Sequence, residues 1–375
     1  MSWITYLGLA PASPARPVRP LAREAFNRLL ELLLEQGRFA LRQLQQPGVR
    51  ESSELRALLQ AGYLRLDDED RPQLTPQALR VAEDTLLVEL FQGRGLAGIG
   101  RHGQAGPAAG PEAGDEPQAY QPGQPLEHVD AVATLGQALR RGRPVELREE
   151  DVIVRPGDTA GRCCSVLLLD LSGSMTQHGK FSAARRLALA LRALVRRRFP
   201  GDELITAGFA SEAVLLPGSA LLEVTPRDVG LYDSRQAELR VRIGTSEVPQ
   251  HFTNIQAGLQ LARRVLRGKS QSLRQILLVT DGDPTAHVEG DELVLCYPPS
   301  ERTLRCTLEE ARRCANEGIG VSVFGLVGEF SPPQLKIFVH RLARAGRGTA
   351  VCCSPRQLAD AVVLRFVQNH SGFPR

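Results

Sequence analysis

The sequence predicts an α/β fold in which a doubly wound, mostly parallel sheet is preceded by a small α+β module. From residue 161 onward, short apolar runs alternate with amphipathic stretches of helical period, the pattern of parallel strands joined by crossover helices. Before residue 93, helical patterns surround one short pair of extended segments instead. The 375 residues are enough for several domains of about 100–200 residues each.

Residues 21–92 are predicted to form the α+β module, after an irregular segment at residues 1–20. Its predicted elements are three helices, two short strands and a fourth helix, at Leu21–Gly37, Phe39–Gln46, Glu54–Gln60, Tyr63–Leu66, Gln73–Leu74 and from Pro76 onward. Ser53 is the expected cap of the third helix, and Thr75 that of the fourth. This order of elements resembles a winged helix.

The next stretch of the chain has the composition of a linker. Residues 93–125 contain nine glycines and five prolines, which few packed elements would tolerate. A lead-in segment follows at residues 126–160, with a helix predicted over Leu126–Gly142 and an extended strand over Val145–Val154.

Residues 161–375 are predicted to form the doubly wound sheet and its helices. The predicted strands are Cys163–Asp170, Glu203–Phe209, Gln275–Thr280 and Gly320–Gly328. The predicted helices are Lys180–Arg197, Asn254–Leu266, Thr307–Glu317, one capped by Ser331 that runs to Ala345, and Pro355–Asn369.

Composition and charge exclude several classes of protein. Charged residues are 23% and hydrophobic residues 42% of the chain, ordinary values for a globular protein, and a net charge of +4 does not demand a nucleic-acid partner. No apolar run approaches the roughly 20 residues of a membrane helix, and no basic segment precedes the apolar start, so we expect neither a membrane span nor a secretory signal. Seven cysteines without a CxxC spacing indicate neither a zinc ribbon nor a disulfide framework. We therefore expect a cytoplasmic protein.

Five oxygen-bearing side chains stand where the predicted sheet brings the chain back to one edge. Asp170, Ser172 and Ser174 follow the first strand, Thr253 precedes a helix, and Asp281 follows another strand. Open α/β sheets bind their ligands at this carboxyl edge. Two carboxylates and three hydroxyls, without a thiol or an imidazole, suit Mg²⁺ or Mn²⁺ rather than zinc or copper. The sequence therefore predicts a metal site here.

This set of residues resembles the metal-ion-dependent adhesion site of von Willebrand factor A (VWA) domains. The DxSxS motif that begins at Asp170, the threonine Thr253 and the aspartate of Thr-Asp-Gly at Asp281 all match it. The resemblance implies that Ser172 and Ser174 ligate the ion directly, that Thr253 does so in at least one state, and that both aspartates act mainly through water. It also implies that an acidic side chain of a protein partner completes the metal shell.

Further motifs over residues 160–375 are similar to those of one bacterial group of VWA proteins. This group is intracellular and is found with AAA+ ATPases of the MoxR or magnesium-chelatase type. The matching motifs are Phe181–Arg185, Asp281–His287, Tyr297–Pro299 and Arg302–Thr303, with Leu147–Asp151 in the lead-in. The resemblance implies an adaptor that binds an ATPase ring and assists client remodelling or metal-cofactor insertion.

Enzymatic activity is not expected from this sequence. Ser172 and Ser174 do not lie in a GxSxG motif, and no histidine is placed to activate either. The GxGxxG run at Gly93–Gly98 follows a helix rather than a strand, and Gly268–Ser270 reads as a helix end rather than a phosphate loop. His287 is expected to be a structural or rim residue rather than a ligand. Any use of ATP would therefore belong to a partner.

A DNA-binding regulator is the alternative function, with the winged-helix-like module as the reader and the VWA domain as a sensor. The recognition helix would be Glu54–Gln60, whose one basic side chain is Arg56, and the wing carries four acids at residues 67–70 that phosphates would repel. Nucleic acid is therefore disfavoured as a partner. The basic run Arg196–Arg198 is expected to complement a helix dipole on a solvated face, with the docking of an acidic partner as the alternative.

Overall fold

A computed structural model describes residues 20–46, 49, 52–92, 118–119, 134, 137, 151–154, 162–226, 238–244, 248–271, 273–328, 331 and 333–370. It divides into two compact units. One unit combines residues 1–93 with residues 163–365, and the other combines residues 94–162 with residues 366–375. The predicted irregular N-terminus, most of the linker and most of the Leu126–Gly142 helix lie outside the described residues. The predicted domain boundaries near residues 93, 125 and 160 stay predictions.

The N-terminal part has the predicted order of helices and strands. Its elements are α1 (Pro20–Gln36), α2 (Arg38–Gln43), α3 (Ser53–Gln60), β1 (Leu64–Leu66), β2 (Pro72–Leu74) and α4 (Pro76–Gln92). The two strands pair in antiparallel fashion around an acidic turn. Thr75 caps α4 as predicted, since its hydroxyl accepts the Ala78 amide at 3.1 Å. The predicted cap of α3 was wrong by one residue, because it is Ser52 whose hydroxyl accepts the Leu55 amide.

In the second unit, the described strands are β3 (Gln118–Ala119) and β4 (Ile153–Val154), an antiparallel pair. The predicted lead-in strand Val145–Val154 is therefore seen only in its last residues, and the rest of it lies outside the described residues.

The remaining elements alternate between strands and helices. In chain order they are β5 (Cys163–Asp170), α5 (Lys180–Arg198), β6 (Glu203–Phe209), β7 (Ala213–Leu215), α6 (Gly218–Glu223), β8 (Glu238–Arg242), α7 (Ile255–Arg267), β9 (Leu273–Thr280), β10 (Ala286–Glu289), β11 (Glu292–Cys296), α8 (Glu301–Asn316), β12 (Ile319–Leu326), α9 (Pro333–Ala345), β13 (Arg347–Cys353) and α10 (Leu358–His370).

The central sheet confirms the predicted fold class. Its strand order is β13-β12-β9-β5-β6-β7, and every pairing is parallel except that of β7. β5 is buried at all eight positions, as expected for a central strand covered by helices on both faces. Because β5 and β9 are parallel neighbours, their carboxyl ends reach the same edge of the sheet.

The sequence did not predict a second, antiparallel sheet of order β10-β11-β8. Its apolar face packs on Val248 and Phe252, close in the chain to Thr253. Two helix starts also differ from prediction. Helix α8 begins at Glu301 rather than Thr307, with the Ser300 side chain as its cap. Helix α9 begins at Pro333, and the Ser331 hydroxyl accepts the Gly328 amide at 2.8 Å instead of capping it.

Helix α5 is covered by the N-terminal part of the same unit. Arg185, at the middle of this contact, has no exposed surface and donates hydrogen bonds to the carbonyl oxygens of Leu33, Leu34 and Val224. Burial lowers the pKa of Arg185 to about 10, so the side chain is still charged at neutral pH. The module is therefore fastened to α5 by a buried cation.

The three arginines of the run Arg196–Arg198 are exposed, as expected, and two of them also meet the acidic alternative within this chain. Arg196 pairs with Glu83 and Asp84 of α4, and Arg197 pairs with Asp84. Glu83 is only 1% exposed and also accepts from Arg192 at 2.8 Å. Local spacing gave no sign of these partners, because they lie more than a hundred residues earlier in the chain.

None of the helices in the described ranges is both long and apolar enough to cross a bilayer.

Candidate metal centre

The carboxyl edge of the central sheet brings the predicted residues together. Asp170 is the last residue of β5, and Asp281 comes directly after β9. Ser172 and Ser174 lie in the loop after β5, which turns through a short 3-10 helix at residues 173–176. The sequence thus predicted the location of all four residues from the end of an apolar strand and the turn that follows it.

The serine loop is joined to the second aspartate by direct hydrogen bonds. The Ser174 hydroxyl donates to Asp281 Oδ1 at 2.7 Å, and the hydroxyl oxygens of Ser172 and Ser174 are 3.3 Å apart. Asp170 Oδ1 accepts the Ser172 amide at 2.8 Å, and Asp170 Oδ2 accepts the Thr280 hydroxyl at 2.6 Å. These hydrogen bonds fix the orientation of the Asp170 and Asp281 carboxylates.

Thr253 reaches the same edge from the start of α7. Its amide donates to the Thr285 hydroxyl at 2.9 Å, and its hydroxyl lies 4.0 Å from the place where a Cβ atom on Gly282 would stand. Thr253 is therefore next to the turn that contains Asp281. The predicted residues Asp170, Ser172, Ser174, Thr253 and Asp281 are accordingly gathered at one edge of the sheet.

Two hydrogen-bonded contacts hold the threonine loop in place. Asn254, which is fully buried, caps α7 by accepting the Ala257 amide at 3.0 Å and donates to the Ser211 carbonyl at 2.9 Å. The Gly173 amide donates to the His251 carbonyl at 3.1 Å, which connects the serine loop to the threonine loop. The distance between the Thr253 hydroxyl and the two serine hydroxyls thus depends on hydrogen bonds that join the serine loop, the threonine loop and the loop at Ser211.

The electrostatics of the edge are those of two acids held close together. Asp170 has no exposed surface, and burial, followed by the negative charge of Asp281, raises the pKa of Asp170 to about 7. The Lys180 ammonium lies 2.7 Å from Asp281 Oδ2 and offsets part of this charge. A divalent cation would stabilise both carboxylates more strongly, since its charge is larger and it accepts oxygen ligands from several directions.

The residues present fit a hard divalent cation. Their donor atoms are carboxylate and hydroxyl oxygens. Within the described ranges, no cluster of three or more histidine, cysteine, aspartate or glutamate side chains offers a competing site. Both ring nitrogens of His287 contact other side chains: its Nδ1 lies 3.0 Å from the Thr303 hydroxyl and its Nε2 lies 2.8 Å from Glu289 Oε1.

Sequence reasoning missed one charged residue at this edge, Lys180, and placed Asp283 near the site without giving it a role. Lys180 is one of only three lysines in the chain and opens α5, but its partner is 101 residues away. Asp283 follows Asp281 by two residues and has a buried Oδ1 atom without a hydrogen-bond partner. Burial raises the pKa of Asp283. The turn after β9 therefore carries one more oxygen donor than the motif alone indicates.

A cavity of about 390 Å³ adjoins the serine loop. Met175, Thr176 and Gly179 line one side of it, and Glu35 and Phe39 of the N-terminal helices line the other. Phe39 is 45% exposed, and the Arg38 and Arg42 guanidinium groups stand near its ring. The N-terminal part thus contributes surface beside the candidate site.

Lys180 gives a direct test of the charge balance at this edge. In a Lys180→Met variant, we expect the protein without metal to be less stable, because two buried carboxylates lose their neighbouring cation. We expect Mg²⁺ affinity to rise by about tenfold or more, because the ion no longer meets a positive charge beside Asp281. Isothermal titration calorimetry with MgCl₂ measures the affinity. A Lys336→Met variant, which removes an exposed lysine of α9, is the control, and an unchanged or weaker affinity in Lys180→Met would contradict the argument.

Comparison with known proteins identifies the family to which this chain is similar. A family model described as "Rv0959-like protein, vWA domain" matches residues 163–367, more than half of the chain. The Rv0959 protein of Mycobacterium tuberculosis is 30% identical over 326 residues, which covers 83% of this chain and 44% of that protein. The Mb0984 protein of Mycobacterium bovis matches to the same extent. The chain spans less than half the length of these curated relatives.

Two of the solved structures with a similar fold belong to pilus proteins. The vWF domain of the type V pili tip protein Mfa5 from Porphyromonas gingivalis is 13% identical, with a TM-score of 0.39 over 57% of this chain and 97% of that one. The PilB minor pilin from Streptococcus sanguinis is 15% identical, with a TM-score of 0.42 over 59% and 65%. The family match and the parallel sheet described above agree, and the chain belongs to the Rv0959-like family through its VWA domain.

Proposed function

We propose that this protein is a non-catalytic adaptor that binds other proteins through a divalent metal ion. Asp170, Ser172, Ser174, Thr253 and Asp281 would hold Mg²⁺ or Mn²⁺. The observation that carries the proposal is the contact of 2.7 Å between Ser174 and Asp281, which are 107 residues apart in the chain, next to the buried Asp170. VWA domains often mediate protein–protein interaction or adhesion, and the family match supports the same broad role here.

The chemistry that the ion would supply is Lewis acidity toward a carboxylate. Three of the five donors are neutral hydroxyls, and if both aspartates act mainly through water, as the resemblance implies, the ion would have no charged protein ligand and would keep its Lewis acidity. The residues of this chain have a positioning role: the Ser172 amide and the Thr280 hydroxyl hold Asp170, while Ser174 holds Asp281. An acidic side chain from a partner is the ligand that such a centre favours.

The partner that we propose is an AAA+ ATPase of the MoxR or magnesium-chelatase type. This part of the proposal rests on the resemblance of the motifs around the site to those of VWA proteins that accompany such ATPases. The cavity beside the serine loop offers room for the residues that flank the acidic side chain. The proposed role is to present clients to the ATPase for remodelling or for insertion of a metal cofactor.

The contacts of the two serines support binding rather than catalysis. Ser172 and Ser174 contact each other, and Ser174 donates to a carboxylate that also binds Lys180. We take the two hydroxyls as ligand donors, because the carboxylate that Ser174 contacts is already paired with Lys180 and is itself proposed to serve the metal ion. All seven cysteines are unpaired, which supports a reducing compartment, and we place the protein in the cytoplasm.

Affinity capture with the tagged full chain tests the proposal. We expect an AAA+ ATPase to be recovered from a lysate of the source organism in MgCl₂ and to be lost in EDTA. The Ser172→Ala variant should lose it even in MgCl₂, while Ser354→Ala, which removes a hydroxyl that donates to Gln357 Oε1 away from this cavity, should retain it. Recovery of the ATPase in EDTA, or by the Ser172→Ala variant in MgCl₂, would reject the metal-dependent role.

The DNA-binding alternative stays a prediction that no contact in the described structure favours. In the wing, the carboxylate of Asp67 accepts the amides of Glu69 and Arg71, so acidic residues occupy the tip of the turn. Gel shifts over a salt series would detect specific binding if the module reads DNA.

A further inference from the structure

Helix α9 has an unusual distribution of charge. It contains Lys336, His340, Arg341 and Arg344 but no aspartate or glutamate, and all four side chains are exposed. A helix with charges of one sign repels other cations and attracts an acidic surface.

Two of these arginines open onto a groove of about 500 Å³. Arg341 and Arg344 of α9 line it together with Arg312 of α8 and Arg347 at the start of β13. No carboxylate side chain lines this groove in the part of the chain that the structure describes. We name it the arginine groove.

Acids close to the groove in the chain are already bound elsewhere. Glu310 is fully buried and pairs with Arg263 and Arg313, while Glu317 pairs with Arg263 and Arg267. Hydrogen bonds from Arg267 and Arg263 hold the pKa of Glu317 at about 2, which shows that its charge is fully committed. The four arginines of the groove form no ion pair with any described residue.

The helix dipole alone does not explain why four arginines line the same groove. Arg344 lies in the last turn of α9, where a cation is favourable, but the four side chains come from two helices and a strand. They converge on one space instead of each serving its own helix end.

Helix α5 of the same chain shows which side chains cover a helix that carries arginines but no acidic residues. Helix α5 also contains no aspartate or glutamate, and its charged surface is covered by acids from α1 and α4. These pairs join Arg186 to Glu31 and Glu89, Arg192 to Glu83, Arg196 to Glu83 and Asp84, and Arg197 to Asp84. Among the described residues, helix α9 has no comparable cover.

We infer that the arginine groove is a docking surface for an acidic segment of a partner protein. Its guanidinium groups are spread over three elements, so each can pair with a separate carboxylate along a segment. Ile337 precedes Arg341 by four residues on the same helix face and is 60% exposed, so the segment would also carry an apolar residue.

The groove is separate from the candidate metal centre. Arg347 stands at the amino end of β13, and Asn316 precedes the amino end of the parallel strand β12. The metal-centre residues Asp170 and Asp281 stand at the carboxyl ends of β5 and β9, on the opposite edge of the same sheet. Binding to the groove therefore requires no metal, and its test can be run in EDTA.

Fluorescence anisotropy with the full chain tests the inference. The probe is a fluorescein-labelled peptide of Glu-Glu-Leu-Ala repeats, in EDTA and at low salt. We expect the R312E/R341E/R344E variant to bind the peptide at least about tenfold more weakly than the wild type. The neutral variant R312Q/R341Q/R344Q should also weaken binding, which guards against a folding defect caused by the added acids.

A control variant of equal charge separates a docking surface from general attraction. R80E/R198E/R264E reverses three exposed arginines outside the groove, and we expect it to change the affinity by less than about twofold. Equal losses in the two charge-reversal variants, or no binding of the peptide by the wild type, would overturn the inference. It would also be overturned if tripolyphosphate or an oligonucleotide of matched charge bound the groove while the peptide did not.

Discussion

Replacing Asp170 with alanine is expected to abolish the rise in melting temperature that we expect Mg²⁺ to give to the wild-type protein. The wild type should gain about 2.7 kcal/mol when the ion is present at a hundred times its dissociation constant. For a unit of this size, that gain corresponds to a rise of roughly 4 °C. The variant loses a buried carboxylate next to Ser172 and Asp281, and with it much of the attraction for the cation. Differential scanning fluorimetry in MgCl₂ and in EDTA measures the response.

The response to metal, and not the absolute melting temperature, is the quantity to compare. Asp170→Ala also removes the hydrogen bonds from the Ser172 amide and the Thr280 hydroxyl. The melting temperature of the variant will therefore change even in EDTA. Asp170→Asn keeps the shape of the side chain and should lose the response as well. Asp291→Ala, at an exposed ion pair with Arg242, should retain it. No response in the wild type, or a full response in Asp170→Ala, would contradict metal binding at this site.

Arg185→Ala is expected to destabilise the protein more than any other single substitution of an arginine on α5. It leaves the carbonyl oxygens of Leu33, Leu34 and Val224 buried without their donor and opens a cavity against the Phe181 ring. We expect a loss of about 3–5 kcal/mol in the free energy of unfolding. Urea denaturation followed by circular dichroism measures this loss.

The neighbouring arginine is a matched control. Arg186 is about one third exposed, and its partners Glu31 and Glu89 lie at the surface. Arg186→Ala should therefore cost less than about 1 kcal/mol. Similar losses in the two variants would mean that the buried carbonyl contacts of Arg185 contribute little to stability.

Much of the fold and of the candidate site could be predicted because both depend on local patterns. The strand Cys163–Asp170 is apolar from end to end, and the structure gives it the predicted bounds. Since parallel strands end at one edge, the residues that follow them had to meet, and Ser174 does contact Asp281. The order of the elements and the hydrophobic period were therefore sufficient to predict that the residues after β5 and β9 lie close together.

Contacts between distant segments could not be predicted in the same way. The pairing of Lys180 with Asp281 and that of Arg196 with Glu83 depend on packing that no local spacing encodes. The second sheet was missed because its strands are short, and β8 alternates between exposed and half-buried residues without a strong apolar run. The start of α8 was missed because its first turn is polar, although Ser300 before Glu301 was a capping signal.

The buried Arg185 limits where the protein can be truncated without loss of stability. The family match begins at residue 163, but the hydrogen-bond acceptors of Arg185 include Leu33 and Leu34. A fragment that starts at residue 163 would keep the guanidinium and lose the surface that shields it, along with the acids that neutralise α5. We therefore expect a fragment limited to residues 163–367 to be less stable than a protein that also carries the N-terminal helices, because the acceptors and acids that these helices supply to α5 would be missing.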